Sequence, residues 1–179
     1  MGLARKRTKS CEGIMARIIG IDLGFNGAIA YIDEDGGYRT FDMPCYIVKR
    51  GKKTQRKIDK RGLLEILKSI KTDKIVCFIE KQRPFPKQGV VSIFHLGEQQ
   101  GLIEGILLAL NIPYETIYPQ EWQKEFSIIR SKNTKFASYE KASSLFPQAK
   151  LKTERGRILD GRCDALLIAE YGRRKTRRR

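Results

Sequence analysis

Four carboxylates occupy positions in the sequence where they could share one site. Asp22 ends the apolar run RIIGID, and Glu80 ends the apolar run KIVCFIE, so both acids stand at the ends of predicted strands. Asp160 and Asp164 are four residues apart, which places them on one face of a predicted helix. Two strand ends can lie side by side in a sheet. Four acids brought together in this way could hold two phosphate-bridging Mg²⁺ ions, which need a cluster of hard oxygen ligands.

The charge of the chain points to a polyanionic partner. An acid at a strand end is weak evidence by itself, because turns and helix caps also use acids. The chain has 36 Lys and Arg against 20 Asp and Glu, a net charge of +16. Residues 1–15 carry four basic residues and one acid, and residues 173–179 carry six basic residues and no acid. Basic segments of this kind usually bind a polyanion, most often nucleic acid, and solubility is the alternative explanation.

The composition also excludes several classes of protein. No apolar run approaches the roughly 18 residues that span a bilayer, so an integral membrane protein is excluded. The first residues lack the apolar core of a secretory signal, which predicts a cytoplasmic location. The four cysteines share no C-x-x-C spacing and the chain has a single His, so neither a zinc site nor a disulfide framework is expected.

The elements that must position the acids follow from the apolar periodicity. Strands are predicted at residues 17–23, 28–33, 38–43, 74–80 and 114–118, the first three as an antiparallel meander. Helices are predicted at residues 61–70, 90–110, 134–145 and 160–171, with a short one opened by Pro119 that turns Trp122 and Phe126 inward. The basic stretch 49–60 and the proline-containing stretch 83–89 are predicted to be loops. This order predicts one α/β domain with a five-stranded mixed sheet flanked by helices.

The predicted helix at residues 90–110 has glycine at every fourth position, at Gly97, Gly101 and Gly105. Each glycine costs about 1 kcal/mol relative to alanine in a helix interior. A stripe of three suggests that another backbone approaches this face closely. Tight packing within one subunit explains the stripe as well as a dimer contact or a strand of substrate does.

Four segments, in this order, resemble the RuvC-type Holliday-junction resolvases, and in particular their phage-borne and chloroplast branch. They are RIIGIDLGFNGAIAYI, FIEKQRPFPKQG, PQEW and DGRCDALLIAEYGRRK, which span residues 17–174. The resemblance implies an RNase H-like fold and a homodimer that nicks four-way junction DNA symmetrically in the cytosol of a bacterium or a phage-infected host. It also implies dependence on Mg²⁺ or Mn²⁺, with two ions per active site.

The same resemblance divides the chain and assigns its acids. Residues 1–15 would be a basic N-terminal extension, 16–172 the nuclease domain and 173–179 a basic C-terminal tail. Asp22, Glu80 and Asp164 match the metal-binding acids of the family. In the bacterial members, a further ligand precedes the last acid by three residues, where this chain has Gly161. In the chloroplast-like branch, a His four residues before the acid aligns with Asp160, which is therefore expected to be the fourth ligand.

Two lysines match the family pattern as well. Lys124 and Lys135 have the spacing of eleven residues that separates two family lysines near the scissile phosphate. A lysine in that position stabilises negative charge that develops on the phosphate in the transition state. An exposed, solvated helix surface is the alternative explanation for both.

The proline-containing stretch resembles the family loop that enters the centre of the junction. Phe85 would stack on a splayed base, or would pack under its own prolines. Contacts with phosphates or base edges are expected from Arg83, Lys87 and Gln88.

Three other functions stay open. An actin-like sugar kinase or ATPase also begins with G-I-D-x-G, but that fold duplicates its domain and needs a much longer chain. An RNase H-like nuclease that acts on RNA or RNA/DNA would use the same acids. A non-catalytic nucleic-acid-binding module leaves unexplained why acids would lie inside a basic groove, where they repel phosphate unless a metal ion intervenes.

Overall fold

A computed structural model describes residues 16–51, 53–83 and 89–178. The strands in these residues are β1 (Arg17–Asp22), β2 (Ala28–Ile32), β3 (Tyr38–Asp42), β4 (Cys45–Arg50), β5 (Lys53–Ile58), β6 (Ile75–Glu80) and β7 (Tyr114–Ile117). The helices are α1 (Lys60–Ile70), α2 (Val90–Ala109), α3 (Pro119–Glu125), α4 (Thr134–Leu145) and α5 (Asp160–Arg177). No helix in the described ranges is long and apolar enough to cross a membrane.

The predicted five-stranded mixed sheet is confirmed, with strand order β3-β2-β1-β6-β7. The first three strands along the chain pair antiparallel, and β1, β6 and β7 run parallel. Ile21 on β1 lies opposite Ile79 on β6, so the next residues, Asp22 and Glu80, end neighbouring strands at one edge of the sheet. The parallel register therefore brings two of the four acids together.

Helices cover both faces of the sheet, which explains why the strands β1 and β6 read as nearly continuous apolar runs. One face packs on α3, α4 and α5, with Trp122 and Phe78 among the buried side chains. The other face packs on α1 and α2, where Leu63, Leu67 and Ile103 are buried. The core thus fixes α5 against the same strands that carry Asp22 and Glu80.

The prediction of a loop at residues 49–60 was wrong. Strands β4 and β5 form a separate antiparallel hairpin, and Gly51 supplies the positive φ of its turn (φ 58°). The sequence KTQRKI of β5 contains one apolar residue, Ile58, so it lacks the alternation that marks a half-buried strand. Pairing with β4 rather than burial of a face makes this segment a strand.

The bounds of α4 agree with the expectation, whereas the end of α5 does not. Asn133 caps α4, because its side-chain oxygen accepts a hydrogen bond from the backbone N–H of Phe136. The last helix continues six residues beyond Tyr171, to Arg177. Residues 173–177 therefore belong to α5.

Candidate active site

The first turns of α5 bring Asp160 and Asp164 to the sheet edge where Asp22 and Glu80 end their strands. A glycine in β1 makes this possible. A Cβ at Gly20 would lie 2.2 Å from the backbone oxygen of Ala165, so any larger residue would push α5 away from the sheet. The close approach of strand and helix places the four predicted acids within electrostatic reach of one another.

The position of the fourth acid follows from a second close contact. A Cβ at Gly161 would lie 2.2 Å from the backbone oxygen of Asn26, so α5 begins directly on the loop that follows β1. A metal-binding side chain at position 161, as in the bacterial family pattern, would not fit here. Asp160 carries the carboxylate one residue earlier, where the chain has room for it.

The acids repel one another in this arrangement. Burial raises the pKa of Asp22 well above its usual range, and the charges of Asp164, Glu80 and Asp160 raise it further. Burial also raises the pKa of Asp164 to about 7; Glu80 and Asp160 add to the shift, while Ser138 and Lys135 oppose it. Clusters of acids with shifted pKa values are typical of functional sites, since repulsion of this kind destabilises the fold.

Two side chains hold Glu80 in place. The indole Nε1 of Trp122 donates to Oε2 of Glu80 over 2.7 Å, and the amide of Gln82 donates to Oε1 over 2.9 Å. Burial raises the pKa of Glu80, and these two hydrogen bonds limit the rise. The sequence indicated only that Trp122 turns inward. A buried Trp needs an acceptor for its N–H, and that requirement was the available signal for this contact.

The two predicted lysines lie in different surroundings. Lys135, on α4, donates to Oδ2 of Asp160 over 2.7 Å, and this hydrogen bond raises the pKa of the lysine. Lys124 is exposed on α3. Two residues along a helix correspond to a rotation of about 200°, so Lys124 lies on the far side of α3 from Trp122, which contacts Glu80. The structure brings Lys135, and not Lys124, to the carboxylates.

Solved structures share this arrangement of strands and helices. The alignment with the structure of Thermus thermophilus RuvC covers 89% of this chain and 96% of the RuvC chain, with a TM-score of 0.54 and 11% sequence identity. The chain has the fold of the RuvC-type resolvases. The alignment with the T. thermophilus protein in complex with Holliday junction substrate covers the same fractions of the two chains, with a TM-score of 0.55 and 10% sequence identity. The alignment with the yeast mitochondrial Holliday junction resolvase covers 91% of this chain and 80% of the yeast chain, with a TM-score of 0.51 and 15% sequence identity.

No protein-family model and no curated protein matches the sequence. The structural matches confirm, at the level of the fold, the RuvC-type resemblance and the α/β class predicted from the sequence. The phage-borne and chloroplast branch, and the roles of individual residues, stay predictions.

A wide groove of about 850 Å³ runs past Asp160 on this RuvC-type fold. Its lining includes aromatic and basic side chains, among them Phe25, Arg56, Lys135, Phe136, Arg157 and Arg162. Arg162 forms two hydrogen bonds with Asp42, of 2.6 and 2.7 Å, and thereby lowers the pKa of that carboxyl group. The groove, called the substrate groove below, is lined by more basic than acidic side chains and reaches Asp160 of the four acids.

The predicted junction-centre loop is described only at its ends. The guanidinium of Arg83 lies 3.8 Å from the ring centroid of Tyr118, so this arginine stacks on an aromatic face. Phe85, Lys87 and Gln88 lie outside the described residues, and their contacts with DNA stay predictions.

The donor chemistry of the site fits a hard divalent cation. Among the described residues, no three His, Cys, Asp or Glu side chains are grouped as a ready-made metal site. The four acids nevertheless supply only oxygen ligands, as Mg²⁺ prefers. Oδ1 of Asp164 is buried without a hydrogen-bond partner in the described part of the chain, and a cation would both satisfy this oxygen and relieve the repulsion around it.

Proposed function

We propose that this protein is a metal-dependent endonuclease that resolves four-way DNA junctions by nicking two opposed strands. The observation that carries the proposal is the convergence of acids from β1, β6 and α5 beside a cationic groove. The net charge of +16 suits a polyanionic substrate. The T. thermophilus protein with the same fold was solved with Holliday junction substrate, which favours branched DNA over other nucleic acids.

The four acids would hold Mg²⁺, or Mn²⁺ in its place, with two ions per site. Bound ions of this kind lower the pKa of an attacking water and stabilise the charge of the leaving 3′ oxygen. Trp122 and Gln82 fix the orientation of Glu80, so its oxygens need little reorganisation to act as ligands. Asp164 offers an oxygen that has no competing partner among the described residues.

Lys135 would stabilise the scissile phosphate. Its ion pair with Asp160 holds the ammonium group at the border between the acids and the substrate groove. A phosphate that enters the groove meets this charge, which opposes the negative charge developing in the transition state. The proposed role of Lys124 at the phosphate rests on the family resemblance alone.

We also propose that the active form is a homodimer, because two opposed cuts need two sites. A Cβ at Gly97, Gly101 or Gly105 would meet no described atom within 4 Å, so packing against the described part of the subunit does not explain the stripe. Phe94 and Leu108 extend the same face of α2, and their exposed fractions are 69% and 64%. A second copy of α2 would bury these apolar side chains and bring two backbones together at the glycines.

The experiment compares cleavage of a synthetic four-way junction, a linear duplex of matching sequence and an RNA/DNA hybrid, each with Mg²⁺ and with EDTA. Symmetric nicks on the junction that depend on Mg²⁺ would support the proposal. Faster cleavage of the hybrid than of the junction would favour an RNase H-like activity instead. Binding without cleavage in any metal would favour the non-catalytic module.

A further inference from the structure

An exposed aromatic residue lines the substrate groove beside the acids. Phe136 belongs to the wall of this groove, and its exposed fraction is 46%. A helical backbone exposes little surface, so most of this fraction is the ring itself. The preceding residue, Lys135, donates to Oδ2 of Asp160 over 2.7 Å and lines the same groove. The ring therefore lies close to the place where the scissile phosphate is proposed to bind.

The fold supports this ring without burying it. Phe136 lies in the first turn of α4, and its backbone N–H donates over 3.1 Å to Oδ1 of Asn133, which caps the helix. The ring contacts that of Tyr139, one turn later, with centroids 6.2 Å apart. Tyr139 has the ammonium group of Lys152 at 4.3 Å from its own ring centroid. A side chain that is already held in this way loses little freedom when a ligand stacks on it.

The second phenylalanine of the groove has other partners. The ring of Phe25 contacts that of His95 edge to face, with centroids 6.4 Å apart. The guanidinium of Arg56 lies 5.8 Å from the centroid of the same ring. Phe25 is only partly exposed, so Phe136 is the ring of the groove that offers more of its surface to a ligand.

The groove also has the charge that a phosphate backbone requires. Arg157 is exposed on its wall, and Lys135 and Arg56 line it as well. A ligand that uses both the cations and the ring must carry phosphates and flat faces together. In a continuous duplex the bases are stacked on one another, so their faces are not available to a protein. An unstacked strand offers those faces, and stacking on an aromatic side chain tolerates any base.

We propose that Phe136 stacks on an unstacked base next to the scissile phosphate and thereby helps the enzyme to select branched over linear DNA. A branch point supplies such a base at the lowest cost, because unstacking costs least where the strand is already distorted. The ring reads no base edge, so this contact adds no preference for one base over another. The proposal rests on the proposed function, since it assumes that the phosphate lies beside Lys135 and Asp160.

The test uses four proteins and a set of four-way junctions. The proteins are the wild type, Phe136→Ala, Phe136→Trp and the control Ile129→Ala, which shortens an apolar side chain of matching exposure (45%) outside the groove. An abasic site is placed in turn at each position around the branch point, and a linear duplex of matching sequence is included. Binding is measured by fluorescence anisotropy in EDTA, separately from cleavage with Mg²⁺.

We expect the wild type, Phe136→Trp and Ile129→Ala to bind about tenfold more weakly when the base at one particular position is removed. The loss should be similar for junctions that carry each of the four bases at that position. Phe136→Ala should bind the intact junction at the level of the wild type on the abasic junction, and should not respond to the abasic site. All four proteins should bind the linear duplex equally.

Three results would overturn the proposal. One is an abasic scan of the wild type that shows no sensitive position. Another is a Phe136→Ala variant that still responds to the abasic site, even if its melting temperature falls, because the ring then only packs on Tyr139. The third is an equal loss of affinity for junction and duplex in Phe136→Ala.

The two proposals fail in different ways. If the wild type cuts no junction but Phe136 accounts for a sensitive position in the binding scan, the proposed function fails and the stacking contact stands. If junctions are cut with Mg²⁺ and the scan is flat, the stacking contact fails and the resolvase proposal stands.

Discussion

At its first turns α5 holds acids next to other acids, whereas at its last turns it holds bases next to acids. Asp164 lies within electrostatic reach of Asp22, and burial together with like charges raises the pKa of both groups. At the other end, the buried Glu170 accepts hydrogen bonds from Arg173 over 2.7 Å and from Arg174 over 2.9 Å. One helix therefore carries two charge clusters: the one at its start, in which four acids share, among the described residues, the single cation Lys135, is called the uncompensated cluster below, and the one at its end the compensated cluster.

The compensated end extends to the last residue of α3 and to the sheet. Glu125 accepts from Arg178 over 2.8 Å and also pairs with Arg174, and Arg178 is the main cause of its lowered pKa. Lys175 pairs with Glu115 on β7. Cations near the C-terminus of a helix also interact favourably with the helix dipole. These bases, which the sequence suggested were a polyanion-binding tail, fix the end of α5 to the fold.

The difference shows how to separate structural from functional charge in this protein. Both clusters consist of partly buried ionisable groups, so the presence of charge does not distinguish them. Only the first cluster keeps like charges together and leaves a buried carboxylate oxygen unpaired in the described part of the chain. Such an arrangement destabilises the fold unless something else binds there, and the proposed metal site rests on this observation.

The largest expected effect comes from removing one acid of the uncompensated cluster. Asp22→Asn, Glu80→Gln and Asp164→Asn should each reduce junction cleavage to background, because each removes one of the proposed metal ligands. Junction binding should be unchanged or tighter, since a negative charge that faces phosphate is removed. Cleavage and binding assays on the same junction check this, with the exposed Glu154→Gln as the control. Cleavage that persists in all three variants would contradict the site.

A smaller loss is expected when only the orientation of one acid changes. Trp122→Phe keeps an aromatic ring in the core but removes the N–H that holds Glu80. Loss of such a supporting hydrogen bond typically costs about 10–100-fold in metal affinity or activity. The Mg²⁺ concentration for half-maximal cleavage should rise accordingly. If only the melting temperature falls and the Mg²⁺ dependence is unchanged, Trp122 has a packing role alone.

The pH dependence of stability should also distinguish the two ends. The pKa of Asp164 is about 7 in the folded chain, above its ordinary value in the unfolded chain. At a pH between these two pKa values, the folded chain therefore binds a proton at Asp164 that the unfolded chain has lost. In EDTA the free energy of unfolding should therefore fall as the pH rises from about 4 to 7 and level off above that range. Melting curves of the wild type and Asp164→Asn check this, and the decline should be absent or reduced in the variant.

The smallest effect is expected at the compensated end. Arg178 is exposed and paired with Glu125, and exposed ion pairs contribute little to stability. Arg178→Ala should change the melting temperature by less than about 2 °C. It should also leave the salt dependence of junction binding nearly unchanged, whereas Arg157→Ala in the substrate groove should lower the log–log slope by about 0.9. An equal change of slope for both would place the end of α5 on the DNA.

The sequence was sufficient to predict the main sheet and the acids at its edge. Strands β1 and β6 are covered by helices on both faces, so their sequences are nearly continuous apolar runs. The acids Asp22 and Glu80 mark the end of each run in the sequence. The helical spacing of Asp160 and Asp164 required no tertiary information. These features depend on local patterns, which is why the predictions were confirmed for the fold.

Contacts between distant segments were not predictable in this way. Nothing local in β5 marks it as a strand, because its partner β4 makes it one. The hydrogen bond from Trp122 to Glu80 joins residues 42 positions apart. The partners of the basic residues at the end of α5 come from α3 and β7. The sequence therefore shows the excess of basic residues there but does not predict their ion pairs.

The most direct test of the account is thermal unfolding of the wild type and of Asp164→Asn at pH 8, with EDTA and with Mg²⁺. The acids repel one another without metal, so the account predicts a higher melting temperature for Asp164→Asn than for the wild type in EDTA. Mg²⁺ should raise the melting temperature of the wild type, as any ligand of the folded state does, and should have little effect on the variant. A variant that is less stable in EDTA, together with a wild type that does not respond to Mg²⁺, would contradict it.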